Sequence, residues 1–419
     1  MNAVIVSVGT ELVVGQCVDT NSAWLSTELT SYGVHVRSHI TVGDEVDRIE
    51  AAIRTAIADA DLVIVTGGLG PTADDLTRQA LAAAISEPLE ENRDALTQIQ
   101  AFFDRWKRPM PESNRLQALV PRGGRVLENR RGTAPGIGIE RNERFVFALP
   151  GVPAEMKVMF DEWIRPLVAE RSDGATACEI RLLCFGISEA KVGDAIADLM
   201  ARGRNPMVGT TAADAILSVR IVAYGQDESQ AQAMADRDAA EVRRRLGSVV
   251  FGEGNDTLEQ VVGRLLVDRG LTISVAESCT GGMLAAGLTD VPGSSTYFRR
   301  GYVTYSNEAK VELLGVPPEL IEHPGAVSET AARAMATGCR RVSQTDWAVA
   351  ITGIAGPSGG SPPDKPVGLV FVGLADRQSV EVKRFLFGEH LTRQEIRDRA
   401  CKSALDMLRM RLLGVKRGE

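Results

Sequence analysis

A nucleophile, a base and a turn that can receive an anion suffice for acyl transfer, and one stretch of this chain offers all of them. Ala276-Glu277-Ser278-Cys279-Thr280-Gly281-Gly282 follows a run of strand formers, Thr272 to Ala276. A helical pattern begins near Gly282, with Met283, Leu284 and Leu288 on one face. Backbone N–H groups at such a corner lack partners, so Glu277, Ser278, Thr280 and Gly281 outline an anion seat. A second strand-like run, Tyr297 to Tyr305, is preceded by Ser294 and Ser295 and followed by a capped helix start, Ser306 to Lys310. Either serine serves as nucleophile with Lys310 as base, and sequence alone does not separate the two.

Cys279 is the competing nucleophile, because helix N-termini lower thiol pKa. A cysteine hydrolase normally recruits a histidine. The chain has four, of which His323 and His390 sit in loop contexts. A small buried cysteine is the better reading, whereas a Ser–Lys pair needs no histidine. An ordinary lysine is neutral in only about one molecule in 2500 at pH 7, so the base must be shifted by roughly three units, or about 4 kcal/mol. Burial and a nearby helix N-terminus push that way. Tyr305 stands where it could relay a proton or fix Lys310. A final helix from Thr392 carries Arg393 and Arg397 one turn apart, either a phosphate clamp or a solvated pair near Asp398.

The elements around these residues are those of stacked α/β units. Ala3 to Val8 is a continuous apolar strand of the kind buried in a parallel sheet. Asp19-Thr20-Asn21 caps a helix carrying Trp24, Leu25 and Leu29. Val34 to Val42 and Asp61 to Thr66 read as further strands, with a helix from Glu45 to Ala58 between them. This is the order of a doubly wound sheet, whose ligands lie at the carboxyl ends of strands. There stand Gly9-Thr10-Glu11-Leu12 and the turn Thr66-Gly67-Gly68-Leu69-Gly70-Pro71-Thr72 with Asp74 and Asp75. Asn129 to Gly136 and Leu149 to Met156 add two more turn-rich corners. Glycines let backbone N–H groups approach a phosphate, and Glu11, Asp44, Asp74 and Asp75 suit a divalent metal shared with it. Helix capping explains Asp74 and Asp75 equally well.

Glu179 to Phe185 and Ala215 to Tyr224 alternate as strands, Ser188 starts a helix running to Met200, and Asp227 to Leu246 is a long charged helix. After the linker Phe251 to Asp256, Thr257 caps a helix with Leu258, Val261, Val262, Leu265 and Leu266 inward. A helix from Ser328, a strand Trp347 to Ile351, and strands near Gly368 to Leu374 and Val380 to Phe387 complete the carboxy-terminal part. At 419 residues, two or three domains are expected. Hydrophobic content of 44%, with 24% charged residues, is that of a soluble protein. A formal charge of −8 argues against general binding of nucleic acid or acidic membranes. The first residues lack the pattern of a secretory signal, and no apolar run approaches a membrane span. Six scattered cysteines without a C-x-x-C pair read as reduced thiols in a cytoplasm. His35 and His39 are weak metal candidates on a strand-like run.

These motifs carry a resemblance. Gly9 to Leu12, Asp19-Thr20-Asn21-Ser22, Thr66 to Thr72 with Asp74-Asp75, and Leu149-Pro150-Gly151-Val152-Pro153 look like the amino-terminal domain of the CinA family, which is similar to the molybdopterin-binding fold. Ala276 to Gly282, Gly293-Ser294-Ser295, Arg300 to Lys310, Gly325 to Glu329 and Thr352 to Pro357 look like the CinA carboxy-terminal domain. The resemblance implies a multidomain α/β chain: residues 1–169 molybdopterin-binding-like, 170–254 a KH-like middle domain, and 255–419 the carboxy-terminal domain. The loop Arg202 to Pro206 lacks the G-x-x-G clamp of an RNA-binding KH module.

By resemblance the carboxy-terminal domain is a nicotinamide mononucleotide deamidase without cofactor. Ser295, Tyr305 and Lys310 would be catalytic and Thr352 a pocket residue, with N–H groups near Thr352 and Gly353 as oxyanion donors. The amino-terminal domain would hydrolyse ADP-ribose and related dinucleotides with a divalent metal (Mg, Mn or Co). Glu11, Asn21, Gly67, Gly68, Gly70 and Thr72 belong to its motifs, and Asp44 and Asp75 fall where relatives keep functional carboxylates. The family resemblance further favours a homodimer. A non-catalytic pterin- or nucleotide-binding protein acting in competence or DNA damage is the alternative.

Overall fold

The computed structural model describes residues 1–172, 176–358 and 365–415. The chain divides into two compact units, Met1–Cys178 with Val222–Ala235, and Glu179–Ile221 with Asp236–Glu419.

In the first unit, six strands form one sheet in the order His35–Val42, Asn2–Val8, Leu62–Thr66, Arg144–Leu149, Gly136–Arg141, Arg125–Leu127. All run in one direction except Gly136–Arg141, which pairs antiparallel with both its neighbours. Asn2–Val8 lies inside the sheet, so both its faces need covering and its sequence is apolar throughout. Val4, Val6 and Val8 pack with Ile49, Ile53 and Leu81 on one face. Ala3 and Ile5 pack with Leu25, Leu29 and Met156 on the other. The two-residue alternation of a strand thus feeds two helical layers. Ile137 pairs with Ala148, so the loop entering Gly136–Arg141 arrives at the carboxyl edge of the parallel strands. All four turn-rich corners therefore share that edge.

In the second unit, five strands lie in the order Phe298–Val303, Ile273–Glu277, Trp347–Gly353, Leu369–Ala375, Val380–Leu386. All run in one direction except Leu369–Ala375, which pairs antiparallel with both its neighbours. Val275, Val349, Ile351, Val370 and Val372 bury one face against helix Leu258–Asp268 and the C-terminal helix, Arg393–Leu412. Ala276, Ala348 and Ala350 meet Met335, Ala336 and Cys339 of helix Glu329–Ser343 on the other. Capping boxes at Thr257/Gln260 and Thr392/Glu395 start two of these helices. Most of a four-stranded sheet, ordered Met207–Ala213, Ile216–Gly225, Thr176–Phe185, Val250–Glu253, also belongs to this unit. The helix expected from Ser188 to Met200 stops early, spanning Glu189–Ala195. Beyond it Arg204 Nη1 donates to Leu199 O (2.7 Å), which holds the segment as a turn. Among the described residues, no helix is long and apolar enough to cross a membrane.

Helix Glu329–Ser343 reaches the chain at Leu314 through a glycine. A Cβ built on Gly338 would stand 2.0 Å from Leu314 O. Gly338→Ala should therefore destabilise the second unit by about 1–3 kcal/mol, read as a lower urea midpoint with unchanged slope.

Candidate active site

In the second unit, Ser278 is the first residue beyond strand Ile273–Glu277, and its N–H donates to Ile351 O (2.9 Å) of the neighbouring strand. It therefore stands at the carboxyl edge of three parallel strands, the edge at which ligands of open α/β sheets bind. Lys310 comes from helix Asn307–Leu314, which follows strand Phe298–Val303, and is 1% exposed. Its Nζ lies 3.1 Å from Ser278 Oγ. The remaining contacts are the carbonyls of Thr304 (2.8 Å), Tyr305 (3.3 Å) and Ser306 (3.3 Å). Carbonyl dipoles favour the ammonium and burial opposes it. Burial prevails and the Lys310 pKa is lowered, although the nearby Cys279 and Glu308 pull it back up.

Ser295 does not meet Lys310. Ser294–Thr296 forms a turn of 3-10 helix before strand Phe298–Val303, whose first residue pairs with Ile273, the amino end of its neighbour. A strand rises about 3.3 Å per residue, so roughly 16 Å of strand separates this turn from the Lys310 amine. Ser294 Oγ turns instead to Thr289 O (3.4 Å), at the far end of helix Met283–Thr289. The expected pairing of Ser295 or Ser294 with Lys310 is thus replaced by Ser278 with Lys310. In a parallel β-α-β unit, loops that follow strands and loops that precede them lie at opposite edges. The sequence held that signal, because Ser278 follows a strand and Ser295 precedes one.

Tyr305 also differs from expectation. Its carbonyl, not its phenol, meets Lys310, and the 59% exposed side chain accepts a hydrogen bond from Arg393 Nη2 (2.9 Å). Arg393 Nη1 donates to Gly356 O (2.5 Å), and Arg397 Nη2 to Thr280 O (2.7 Å). Both arginines therefore belong to the site rather than to a solvated pair. The anion seat on helix Met283–Thr289 is taken by the chain itself. Glu277 accepts from the N–H groups of Gly282 (3.0 Å), Leu284 (3.0 Å) and Ala285 (2.8 Å). Glu277 thus locks the turn that carries Ser278. Two buried polar atoms beside the turn have no partner, Thr280 Oγ1 and Arg397 Nε. Such atoms mark where a water or a ligand oxygen completes a network. Thr352 Oγ1 donates to Ala326 O (2.8 Å), and Ile354 N–H to Leu369 O (2.8 Å), so this corner is rigidly held. Gly353 sits at its end, where a Cβ would come within 2.7 Å of Val370. Burial pushes the Cys279 thiol up to about 11, which leaves it a poor nucleophile.

In the first unit, the glycine turn follows strand Leu62–Thr66. Gly67 and Gly68 have φ of 104° and 66°, and a Cβ on Gly67 would stand 2.1 Å from Val8 O. Arg78 supports the turn from inside, donating to Leu69 O (2.6 Å) and Gly70 O (2.5 Å). Burial lowers the Arg78 pKa to about 10. No motif singled out this arginine, because its position in an ordinary helix gives no local cue. Thr72 receives both neighbouring carboxylates: its hydroxyl bonds Asp74, and its N–H (2.9 Å) and hydroxyl (2.6 Å) bond Asp75. Asp44 accepts from Thr10 N–H and Oγ1, both at 2.8 Å. The Glu11 carboxylate lies against Gly9, 2.6 Å from where a Cβ would sit. Asn21 Nδ2 donates to Gly151 O (2.8 Å) and Thr66 Oγ1 (3.2 Å), while its Oδ1 is buried without a partner. Among the described residues, no three His, Cys, Asp or Glu side chains are placed to hold one metal ion. Asp44 and the Asp74–Asp75 pair each serve a threonine at a loop. His35 stacks on Tyr224 (4.3 Å) and His39 bonds Ser26 (2.6 Å).

Three family models match the sequence in succession: the probable molybdopterin binding domain over residues 4–170, the damage-inducible protein CinA KH domain over 181–252, and the CinA C-terminal domain over 255–412. A protein of Symbiobacterium thermophilum, named as competence-damage inducible, is 46% identical across 99% of both chains. The chain belongs to the CinA family. A CinA-like protein of Geobacter sulfurreducens is 44% identical over 99% of this chain and all of its own. Among solved structures, the competence/damage inducible protein CihA of Agrobacterium tumefaciens is 44% identical, covering 37% of this chain and 95% of its own, with a TM-score of 0.35. The CinA C-terminal match contains Ser278, Lys310, Arg393 and Arg397 together.

Only a neutral Lys310 accepts the Ser278 proton, and its neutral fraction grows as pH rises. The lowered pKa moves that rise toward neutrality. A reaction that uses Lys310 as its base should accordingly show kcat/KM climbing with pH to a plateau, with a midpoint below the 10.5 of an ordinary lysine. A profile flat from pH 6 to 10 would contradict Lys310 as the base.

Proposed function

We propose that the C-terminal domain is an amidohydrolase that converts nicotinamide mononucleotide to nicotinic acid mononucleotide and ammonia. The observation that carries this reading is the 3.1 Å contact between a buried lysine amine and Ser278 Oγ at the edge of the parallel strands. Lys310 Nζ takes the Ser278 proton as Oγ bonds the carboxamide carbon. The carbonyl oxygen becomes an oxyanion, stabilised by backbone donors of the Gly353 corner. The C–N bond breaks, and Lys310 returns the proton to the departing ammonia. Water then attacks the acyl ester, with Lys310 again as base, and frees Ser278. Arg393 and Arg397 supply positive charge for the ribose phosphate, and the unpartnered Thr280 Oγ1 and Arg397 Nε lie on the same side.

Ser278→Ala should reduce ammonia release from nicotinamide mononucleotide by about 10³-fold or more, whereas Ser295→Ala should stay within about threefold. Equal rates for wild type and Ser278→Ala would remove the mechanism. Loss of activity in Ser295→Ala, with a normal melting curve, would return the nucleophile to the other serine.

For the N-terminal domain we propose binding and hydrolysis of a nucleoside diphosphate ester such as ADP-ribose. The backbone of the Gly67–Gly70 turn would approach the pyrophosphate, beside Asn21, whose Nδ2 bonds Thr66 and Gly151 and whose buried Oδ1 has no partner. The carboxylates fit a metal held partly by substrate phosphates rather than by a cage of side chains. Asp44 and Asp75 would be its protein ligands, and a metal bound there would neutralise charge on the pyrophosphate. ADP-ribose hydrolysis should stop in excess chelator and return with Mg, Mn or Co. Turnover that persists in chelator would refute the metal assignment.

A further inference from the structure

The second unit holds a cavity of about 1260 Å³ that shares no lining residue with the Ser278 site. That volume accommodates a drug-sized or cofactor-sized molecule, and such sites combine an apolar lining with a few convergent polar groups. Residue spacing turns one face of each wall inward. On strand Val380–Leu386 and its continuation, Glu381, Lys383, Phe385 and Phe387 alternate onto one face. On the C-terminal helix, Arg399, Ser403, Met407 and Met410 follow one another by about a turn along a single stripe. The hairpin between strands Met207–Ala213 and Ile216–Gly225 adds Ala212, Ile216 and Leu217. These walls are pinned together, since Lys402 Nζ donates to Asp214 O (2.7 Å) and Arg409 Nη2 to Ser248 O (2.7 Å).

The lining selects by shape and by charge. The rings of Phe385 and Phe387 stack, with centroids 5.6 Å apart and planes 11° from parallel. Met407 and Met410 are buried on the helix. Aromatic faces and thioethers both favour a flat ring over an alkyl chain. Several charges of the lining are already committed within the chain. Arg411 bonds Asp376 (3.0 Å), Asp406 accepts from Arg409 (2.7 Å), and Glu189 accepts from Thr210 (2.8 Å). Among the described residues, the side chains of Lys191, Lys383 and Arg399 have no hydrogen bond or ion pair, with Glu395 acting on Arg399 from longer range. One uncommitted carboxylate, Glu381, stands against these cations. The uncommitted charge is therefore positive, in a chain whose formal net charge is −8. We infer that the cavity binds a planar aromatic anion, its ring against the phenylalanine and methionine walls and its acidic group toward Lys383 and Arg399. This inference does not rest on the reading of Ser278.

The full chain would be titrated with 1-anilinonaphthalene-8-sulfonate, a fluorescent aromatic anion, and with N-phenyl-1-naphthylamine, the same ring system without the sulfonate. The anionic probe should bind saturably. Ala212→Trp, which fills the cavity from an exposed strand position, should abolish saturable binding of both probes. Lys383→Glu with Arg399→Glu should weaken the anionic probe by about tenfold or more and leave the neutral probe within about threefold. The milder pair Lys383→Gln with Arg399→Gln should act in the same direction, and melting curves would show that each variant folds. 2-Naphthoate should displace the anionic probe at lower concentration than laurate, an acyl anion of the same charge. Absence of saturable binding, binding that survives Ala212→Trp, or binding indifferent to both charge variants would overturn the inference. Tighter displacement by laurate would overturn its aromatic part.

Discussion

Burying a lysine amine against a serine hydroxyl imposes the constraint around which the C-terminal site is arranged. An ammonium removed from water needs acceptors, and the chain supplies three carbonyls from the turn that Lys310 itself follows. Those acceptors position the amine but also favour its proton. Desolvation outweighs them and holds the amine's pKa below that of an ordinary lysine. Among the described residues, Ser278 is the one side-chain hydroxyl bonded to that amine.

Holding the serine in place is a separate problem, solved by Glu277. A turn of small residues between a strand and a short helix would be loose, and its helix would present bare N–H groups. The Glu277 carboxylate closes both defects with three hydrogen bonds to backbone N–H. The same economy recurs in the N-terminal domain, where Arg78 fixes the glycine turn through two carbonyls from beneath. In both domains a buried charged side chain is satisfied by the backbone of the turn it shapes. The two turns are electrically opposite: one is stabilised by an anion at N–H groups, the other by a cation at carbonyls.

Much of this architecture is legible from residue patterns, and the exceptions have physical causes. Strand Asn2–Val8 and the C-terminal helix follow from apolar runs and caps, and lie within a residue or two of where the patterns put them. Lys310 is picked out as a candidate base by the resemblance and by a Ser–Lys pair needing no histidine, whereas its burial, rare for lysine, comes only from the fold. Ser278 rather than Ser295 contacts Lys310, which closeness in sequence conceals because Ser295 lies at the amino edge of strand Phe298–Val303. Glu277 resembled a polar lining residue because a carboxylate at a glycine turn reads alike whether it meets substrate or caps a helix. Arg78 and the Ala326 carbonyl that holds Thr352 act through contacts distant in sequence, so no local motif announces them.

The most direct measurement is to locate the covalent intermediate. The protein would be quenched with acid during turnover of nicotinamide mononucleotide, digested, and its peptides mapped by mass. The account predicts an acyl adduct of the mononucleotide on the peptide containing Ser278, at the Ser278 oxygen. An adduct on Ser295 or on Cys279, with Ser278 unmodified during active turnover, would contradict it.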